Sequence, residues 1–256
     1  MESKYLHTES VHNLTAPQEI VPVIMNLLKP DSVIDVGCGV GTFLYCFKKE
    51  GVKEVLGVDG SWVNKELLSK YLTADEFVEM DLEKEFRLQK QYDLVLSLEV
   101  AEHISESSAD IFIKNLISSG NVVLFSAAIS LQGGQNHINE QPLSYWEEKF
   151  LVYDYILHDV LRPLFWDNLK VLWWYKQNMV LFAPRSLRLL PDMQRVAIRN
   201  IVHYELYQST AAAKNELFDK MTALNKGQMP FLLYVKHMAI AIFGYNNINK
   251  IIKVFK

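Results

Sequence analysis

The chain has 256 residues, half of them hydrophobic, enough to bury one sizeable core with at most a small appendage. Its formal charge of −4 argues against a general nucleic-acid binder, which carries a concentrated positive field, so no nucleic-acid partner is expected. The two cysteines, Cys38 and Cys46, have neither metal-ligand nor disulfide-framework spacing and read as reduced thiols of a cytoplasmic protein.

Residues 1–13 mix charge, histidine and serine, without the apolar run of a signal peptide. No stretch approaches the roughly 18 apolar residues of a membrane span; a soluble protein, or one held only peripherally at the inner face of a membrane, is expected. From 17 to 28, Ile20, Val21, Val23, Ile24, Leu27 and Leu28 recur at helical spacing until Lys29-Pro30 stops the run. Short apolar segments follow at 32–36, 54–58, 92–98 and 121–126, separated by intervals long enough for helices. That alternation predicts an α/β, Rossmann-like fold: a mostly parallel sheet with helices on both faces and ligands bound beyond the carboxyl ends of its strands. Segments 170–175 and 178–183 read as two further strands joined by a very short connection, an antiparallel edge hairpin that completes seven strands. From Ser186 the pattern is helical, with breaks near Pro191, Gly227-Gln228-Met229-Pro230 and Gly244.

Val33-Ile34-Asp35-Val36-Gly37-Cys38-Gly39-Val40-Gly41-Thr42 reads as a buried strand, a glycine loop and the start of a helix. A dinucleotide site wants Gly-x-Gly-x-x-Gly, but here the third glycine, Gly41, comes one residue early and Thr42 takes the expected place. A pyrophosphate also prefers helix N-terminal amides and few acids, whereas Asp35 beside the loop suits a cation. Next, Gly57-Val58-Asp59-Gly60 ends the second strand with a carboxylate able to accept both hydroxyl hydrogens of a ribose. Phe77-Val78-Glu79-Met80-Asp81-Leu82 ends another apolar stretch with acids; Asp81, with Glu79 as the alternative, could accept from an adenine amino group.

These motifs, followed in order by Tyr92-Asp93-Leu94-Val95-Leu96-Ser97-Leu98-Glu99-Val100-Ala101-Glu102-His103, resemble class I S-adenosylmethionine-dependent methyltransferases. The resemblance covers about 32–130 and is nearest to small-molecule enzymes of the ubiquinone-biosynthesis O-methyltransferase type. It implies that Asp35, Gly37, Gly39 and Gly41 hold the methionine end of the cofactor, Asp59 the ribose, and Asp81 with Leu82 the adenine. Cys38, Gly60 and Leu98 complete the cofactor-binding candidates. The expected organisation is a methyltransferase domain over 1–185, with an N-terminal helix at 17–28, a cofactor half at 32–130 and an acceptor side at 131–185. A helical extension follows over 186–256.

Glu99, Glu102 and His103 stand at i, i+3 and i+4, so a helix starting at the end of the fourth strand would put them on one face, beside the expected methyl group. Such a cluster could deprotonate an acceptor or hold a divalent cation, or simply cap a helix and orient the loop. Some relatives similar at Glu-x-x-Glu-His bind a metal through it. The polar stretch 132–142 reads as a loop over the substrate mouth, with His137 the preferred general base and an ordinary hydrogen-bonded surface loop as the alternative. Aromatic residues crowd 145–175 and most should be core; Trp173 and Trp174, adjacent in a strand, would face opposite ways, so that one lines an acceptor pocket. Gln-Gly-Gly-x-x-His-Ile-Asn-Glu-Gln with the later Trp-Trp-Tyr-x-Gln-Asn resembles bacterial methyltransferases associated with surface-glycan or capsule modification, which implies a small-molecule or saccharide acceptor. From Lys220 to Lys256 there are six lysines and no acid, a basic amphipathic segment suited to anionic lipid or a partner subunit, or else a helix pair docked on the domain.

The reading is therefore an S-adenosylmethionine-dependent methyltransferase, transferring its methyl group in line to an acceptor oxygen or nitrogen, with proton removal by a histidine. The alternatives are an NAD-dependent dehydrogenase, disfavoured by the glycine spacing, and a non-catalytic cofactor-binding or scaffold subunit that keeps the fold.

Overall fold

A computed structural model of the chain describes residues 13–187 and 200–243. In chain order the elements are α1 (Thr15–Leu28), β1 (Ser32–Val36), α2 (Thr42–Lys49), β2 (Glu54–Asp59), α3 (Lys65–Leu68), β3 (Phe77–Glu79) and β4 (Leu94–Leu98). Then come α4 (Ala109–Ser119), β5 (Val123–Ser126), α5 (Leu143–Leu151), β6 (Tyr155–His158), α6 (Arg162–Phe165), α7 (Trp173–Asn178), β7 (Val180–Pro184), α8 (Tyr204–Asn225) and α9 (Phe231–Phe243). The chain divides after His203 into two compact units.

The seven strands form one sheet in the order β3-β2-β1-β4-β5-β7-β6. Neighbours from β3 through β5 run parallel, and β7 lies antiparallel between β5 and β6. Alternate strand residues feed two cores, as a period of two demands. Val33, Leu94, Leu96, Leu124 and Leu181 pack with α1 and α2 on one face, while Ile34, Val95, Phe125, Val180 and Phe182 pack with α4 and α5 on the other. On α1, Pro17, Ile20, Val21 and Ile24 make the buried stripe, and the left-handed Lys29 closes the helix.

The edge differs from the expected hairpin. Residues 173–178 are helical, and β7 pairs instead with β6, whose residues had read only as aromatic core. The tryptophan-rich sequence has strand propensity, but tertiary context overrides it: the helical turn buries Lys176, Gln177 and Asn178 on its inner side. Much of the aromatic segment is core as expected, with Phe150 stacked on Phe182 at 3.9 Å between ring centres and Trp146 and Phe165 buried. The expected break at 227–230 separates α8 from α9, whereas those at Pro191 and Gly244 lie outside the described residues.

Candidate active site

A cleft of about 790 Å³ opens at the carboxyl ends of β1, β2 and β4. Its floor is the glycine loop, where Gly37, Gly39 and Gly41 all have positive φ, 90°, 53° and 84°. A side chain on Gly37 would overlap Val100 just beyond β4, so only glycine lets the loop pack there. The Gly37 and Cys38 amides donate to the Val58 carbonyl at 2.7 and 3.2 Å. Asp59 Oδ2 accepts from the Gly39 amide at 2.8 Å and its Oδ1 from the Gly60 amide at 2.6 Å. Asp59 thus braces the loop and keeps lone pairs on both oxygens for a ligand.

Of the residues singled out from the sequence, Asp35, Gly37, Cys38, Gly39, Asp59, Asp81, Leu82 and Leu98 line the cleft. Gly41 and Gly60 lie outside this lining: Gly41 caps α2 against Leu72, and Gly60 makes room for the Trp62 ring. Glu79 also lies outside it, paired with Lys65 at 3.2 Å. The Asp35 carboxyl is 4% exposed, and burial, then the nearby Asp59 charge, pushes it up to about 7. Burial pushes Asp59 up to about 6 against the two amides that favour its charged form. Six acids, Asp35, Asp59, Asp81, Glu83, Glu99 and Glu102, line this space, and among the described residues no lysine or arginine does.

On the other side, Glu99 ends β4 with φ of 55° and precedes a 3-10 turn over Ala101–His103. The expected α-helical face does not exist, yet Glu99, Glu102 and His103 all reach the cleft. Glu99 accepts from Asn178 Nδ2 at 3.2 Å and Gln132 Nε2 at 3.3 Å, and Gln132 Oε1 in turn accepts from Asn178 Nδ2 at 3.0 Å. Glu102 is fully buried, and neither carboxylate oxygen has a hydrogen-bond partner among the described residues. Burial, with the Glu99 charge second, raises it well above the usual carboxylate range.

His103 Nδ1 lies 3.2 Å from the Asn136 carbonyl, which can only accept, so Nδ1 carries the hydrogen. Burial and the neighbouring His137 hold His103 down at about 4, hence neutral near pH 7. His137 Nδ1 sits 2.8 Å from Glu140 Oε1, and its Nε2 is 3.9 Å from Glu102 Oε1. Glu140 also accepts from the Leu131 and Gly133 amides at 2.8 and 2.7 Å. The Ile138 and Asn139 amides tie the same loop to the Glu102 carbonyl at 2.9 and 3.0 Å. The loop carrying His137 is therefore braced at both ends.

One ligand atom from each of Glu102, His103 and His137 falls within 4.8 Å of the others, a donor set that could hold a cation. Trp173, Trp174 and Tyr175 all line the cleft from α7, so neither tryptophan turns away as strand geometry had required. Sequence reasoning missed Trp62, the start of α1 at Asn13, Ala16 and Pro17, and the brace Glu140. Trp62, three residues after the strand-ending acid, and Glu140, three residues after His137 in the same polar stretch, were the available signals; nothing local marked the rest.

Over 110 residues the chain is 26% identical to a mitochondrial ubiquinone biosynthesis O-methyltransferase of Dictyostelium discoideum, a match covering 37% of this chain and 34% of that one. The chain therefore spans about a third of that curated relative. Among solved structures, the methyltransferase domain of a bacterial CtHen1-C is similar at 19% identity and a TM-score of 0.49, over 67% of this chain and 99% of that one. A putative O-methyltransferase of Nostoc punctiforme is similar at 15% identity and a TM-score of 0.45, over 66% of this chain and 56% of that one. A family model described as a methyltransferase domain matches residues 12–190, taking in the glycine loop, both strand-ending acids and the histidine rim. With well over half of its length matched, the chain belongs to this methyltransferase family.

Proposed function

We propose that the chain is an S-adenosylmethionine-dependent methyltransferase acting on a hydroxyl of a small-molecule or saccharide acceptor. The carrying observation is the charge of the cleft, six carboxyl groups without a lysine or arginine among the described lining residues. That field attracts a sulfonium and an ammonium and repels the pyrophosphate of a dinucleotide, which speaks against a dehydrogenase. It also disfavours a polyanionic acceptor such as RNA. The residues fit the cofactor. Asp35, a buried carboxyl without a hydrogen bond from any described residue, can receive the cationic end, Asp59 the ribose, and Asp81 with Leu82 the adenine. When bound, this cofactor supplies the electrophilic methyl group.

The remaining work falls to the chain itself. His137 Nε2 accepts the acceptor proton while Glu140, on Nδ1, orients the ring. Trp173, Trp174 and Tyr175 offer a wall for a ring-shaped acceptor. The protein is assigned to the cytoplasm, where its buried, unpaired Cys38 and Cys46 stay reduced.

A second reading rests on the unpartnered Glu102 carboxylate. Glu102, His103 and His137 would hold a divalent cation, each imidazole donating its other N–H to an oxygen, as metal-bound histidines usually do. Such an ion would lower the pKa of an acceptor hydroxyl. His137 Nε2 can serve as base or as ligand, so the readings exclude each other. Incubation with methyl-tritiated cofactor and a panel of saccharides and phenols tests both. Label in a neutral acceptor supports the proposal, and loss of transfer on adding chelator selects the metal reading. No transfer to any acceptor, with thermal stabilisation by NAD but not by S-adenosylhomocysteine, would overturn it.

A further inference from the structure

The described part of the second unit is two helices, α8 and α9, joined by a turn at Gly227, where φ is 70°. Tyr234 closes the turn: its hydroxyl donates to the Leu224 carbonyl at 2.8 Å and accepts from the Met229 amide at 3.2 Å. Phe231, Val235, Met238 and Ile242 recur at i, i+4, i+7 and i+11, one stripe along α9, and are exposed by 78, 37, 60 and 66%. On α8, Leu217, Phe218 and Met221 share another face at 61, 69 and 56%. Large apolar side chains exposed this densely mark a surface that binds something.

Charge selects the partner. The acids of α8, Glu205, Glu216 and Asp219, all lie before Lys220; from Lys220 through the turn and along α9 to Phe243 the described chain has three lysines, Lys220, Lys226 and Lys236, and no acid. A symmetric pairing of two such segments would set lysines against lysines. An anionic bilayer satisfies both features, taking the apolar stripe among its acyl chains and the lysines at its headgroups. The 13-residue α9 spans about 20 Å, short of the roughly 30 Å hydrocarbon core, and no described helix is long and apolar enough to cross a membrane. We propose that α8 and α9 form a peripheral anchor that lies in the plane of an anionic membrane surface, independent of the chemistry in the cleft.

Flotation of the full chain with vesicles of phosphatidylcholine, alone or mixed with phosphatidylserine, tests this. Binding should be at least about tenfold stronger to the mixed vesicles and fall with added salt. Two double variants at exposed positions, Phe231→Ser with Met238→Ser and Lys226→Glu with Lys236→Glu, should each weaken it about tenfold or more, with circular dichroism and the melting midpoint unchanged. Absence of binding to either vesicle, or binding that survives either double variant, overturns the proposal. So does a concentration-dependent dimer that the apolar variant abolishes while the wild-type chain ignores lipid, because a second copy is then the occupant.

Discussion

The floor of the cleft comes from one contiguous strand, loop and helix plus two strand-ending acids, while its rim is assembled from Glu99, Glu102, the loop around His137 and Asn178, segments scattered over 80 residues of chain. In the floor Asp35 and Asp59 are buried beside one another and both are pushed above the ordinary carboxylate range, Asp59 held by two backbone amides and Asp35 by no hydrogen bond from a described residue. Burial raises the rim acids Glu99 and Glu102 too, but there the partners are side chains from distant segments: Glu99 and His137 are each hydrogen-bonded to fixed side chains, and only the Glu102 carboxylate lacks a hydrogen-bond partner among the described rim residues. Binding energy is therefore stored in the floor and geometry in the rim. Changes to the floor should move affinity and stability, and changes to the rim should move turnover.

The largest expected effect is at the rim. His137→Ala should lower kcat by about 10² to 10⁴-fold while leaving the affinity for S-adenosylhomocysteine within about twofold, measured by steady-state kinetics beside calorimetry. A loss confined to cofactor binding would erase the division between the halves.

At the floor, Asp35→Asn should separate stability from function. The Asp35 carboxyl titrates near 7 when folded, against 3.8 when unperturbed. A raised pKa adds stability in full below the unperturbed value, and that contribution is lost as pH climbs from there through about 7. At pH 8 the ligand-free variant should thus be more stable than wild type by up to about 4 kcal/mol, with little difference at pH 4, and should bind the cofactor poorly. Urea unfolding at the two pH values checks this, and a destabilised variant at pH 8 would contradict it.

The smallest expected effect concerns the brace. Asn178→Ala removes the amide that donates to the Glu99 carboxylate from α7 and should reduce kcat by about tenfold through misplacement of that carboxylate, with cofactor affinity unchanged. An unaltered kcat would mean that Glu99 holds its place without α7.

The same contrast explains what the sequence revealed. The parallel sheet and the floor were legible because each glycine and acid sits at a strand end, where a local pattern fixes both backbone and position, as at Asp35 and Asp59. Asp81 and Leu82 follow the short β3 and were found the same way. The rim was only half legible: Glu102, His103 and His137 stood out as residue types, but Glu140 reaches His137 only because the loop over 131–140 folds back on itself, and Asn178 reaches Glu99 by a tertiary contact across 79 residues. The Trp173–Asn178 segment was misread as a strand because its aromatics carry strand propensity, while its buried face consists of Lys176, Gln177 and Asn178, polar residues that only their partners explain. The strand Tyr155–His158 stayed hidden because it follows α5 after a turn at Asp154 of positive φ, with no glycine to mark the break.

Calorimetric titration with S-adenosylmethionine across pH tests the central claim most directly. A cationic ligand needs the floor ionised, so affinity should rise as pH passes through about 6 and about 7, the values of Asp59 and Asp35, and level off above. Binding that ignores pH over this range, or no binding at millimolar concentration while NAD binds, would contradict the account.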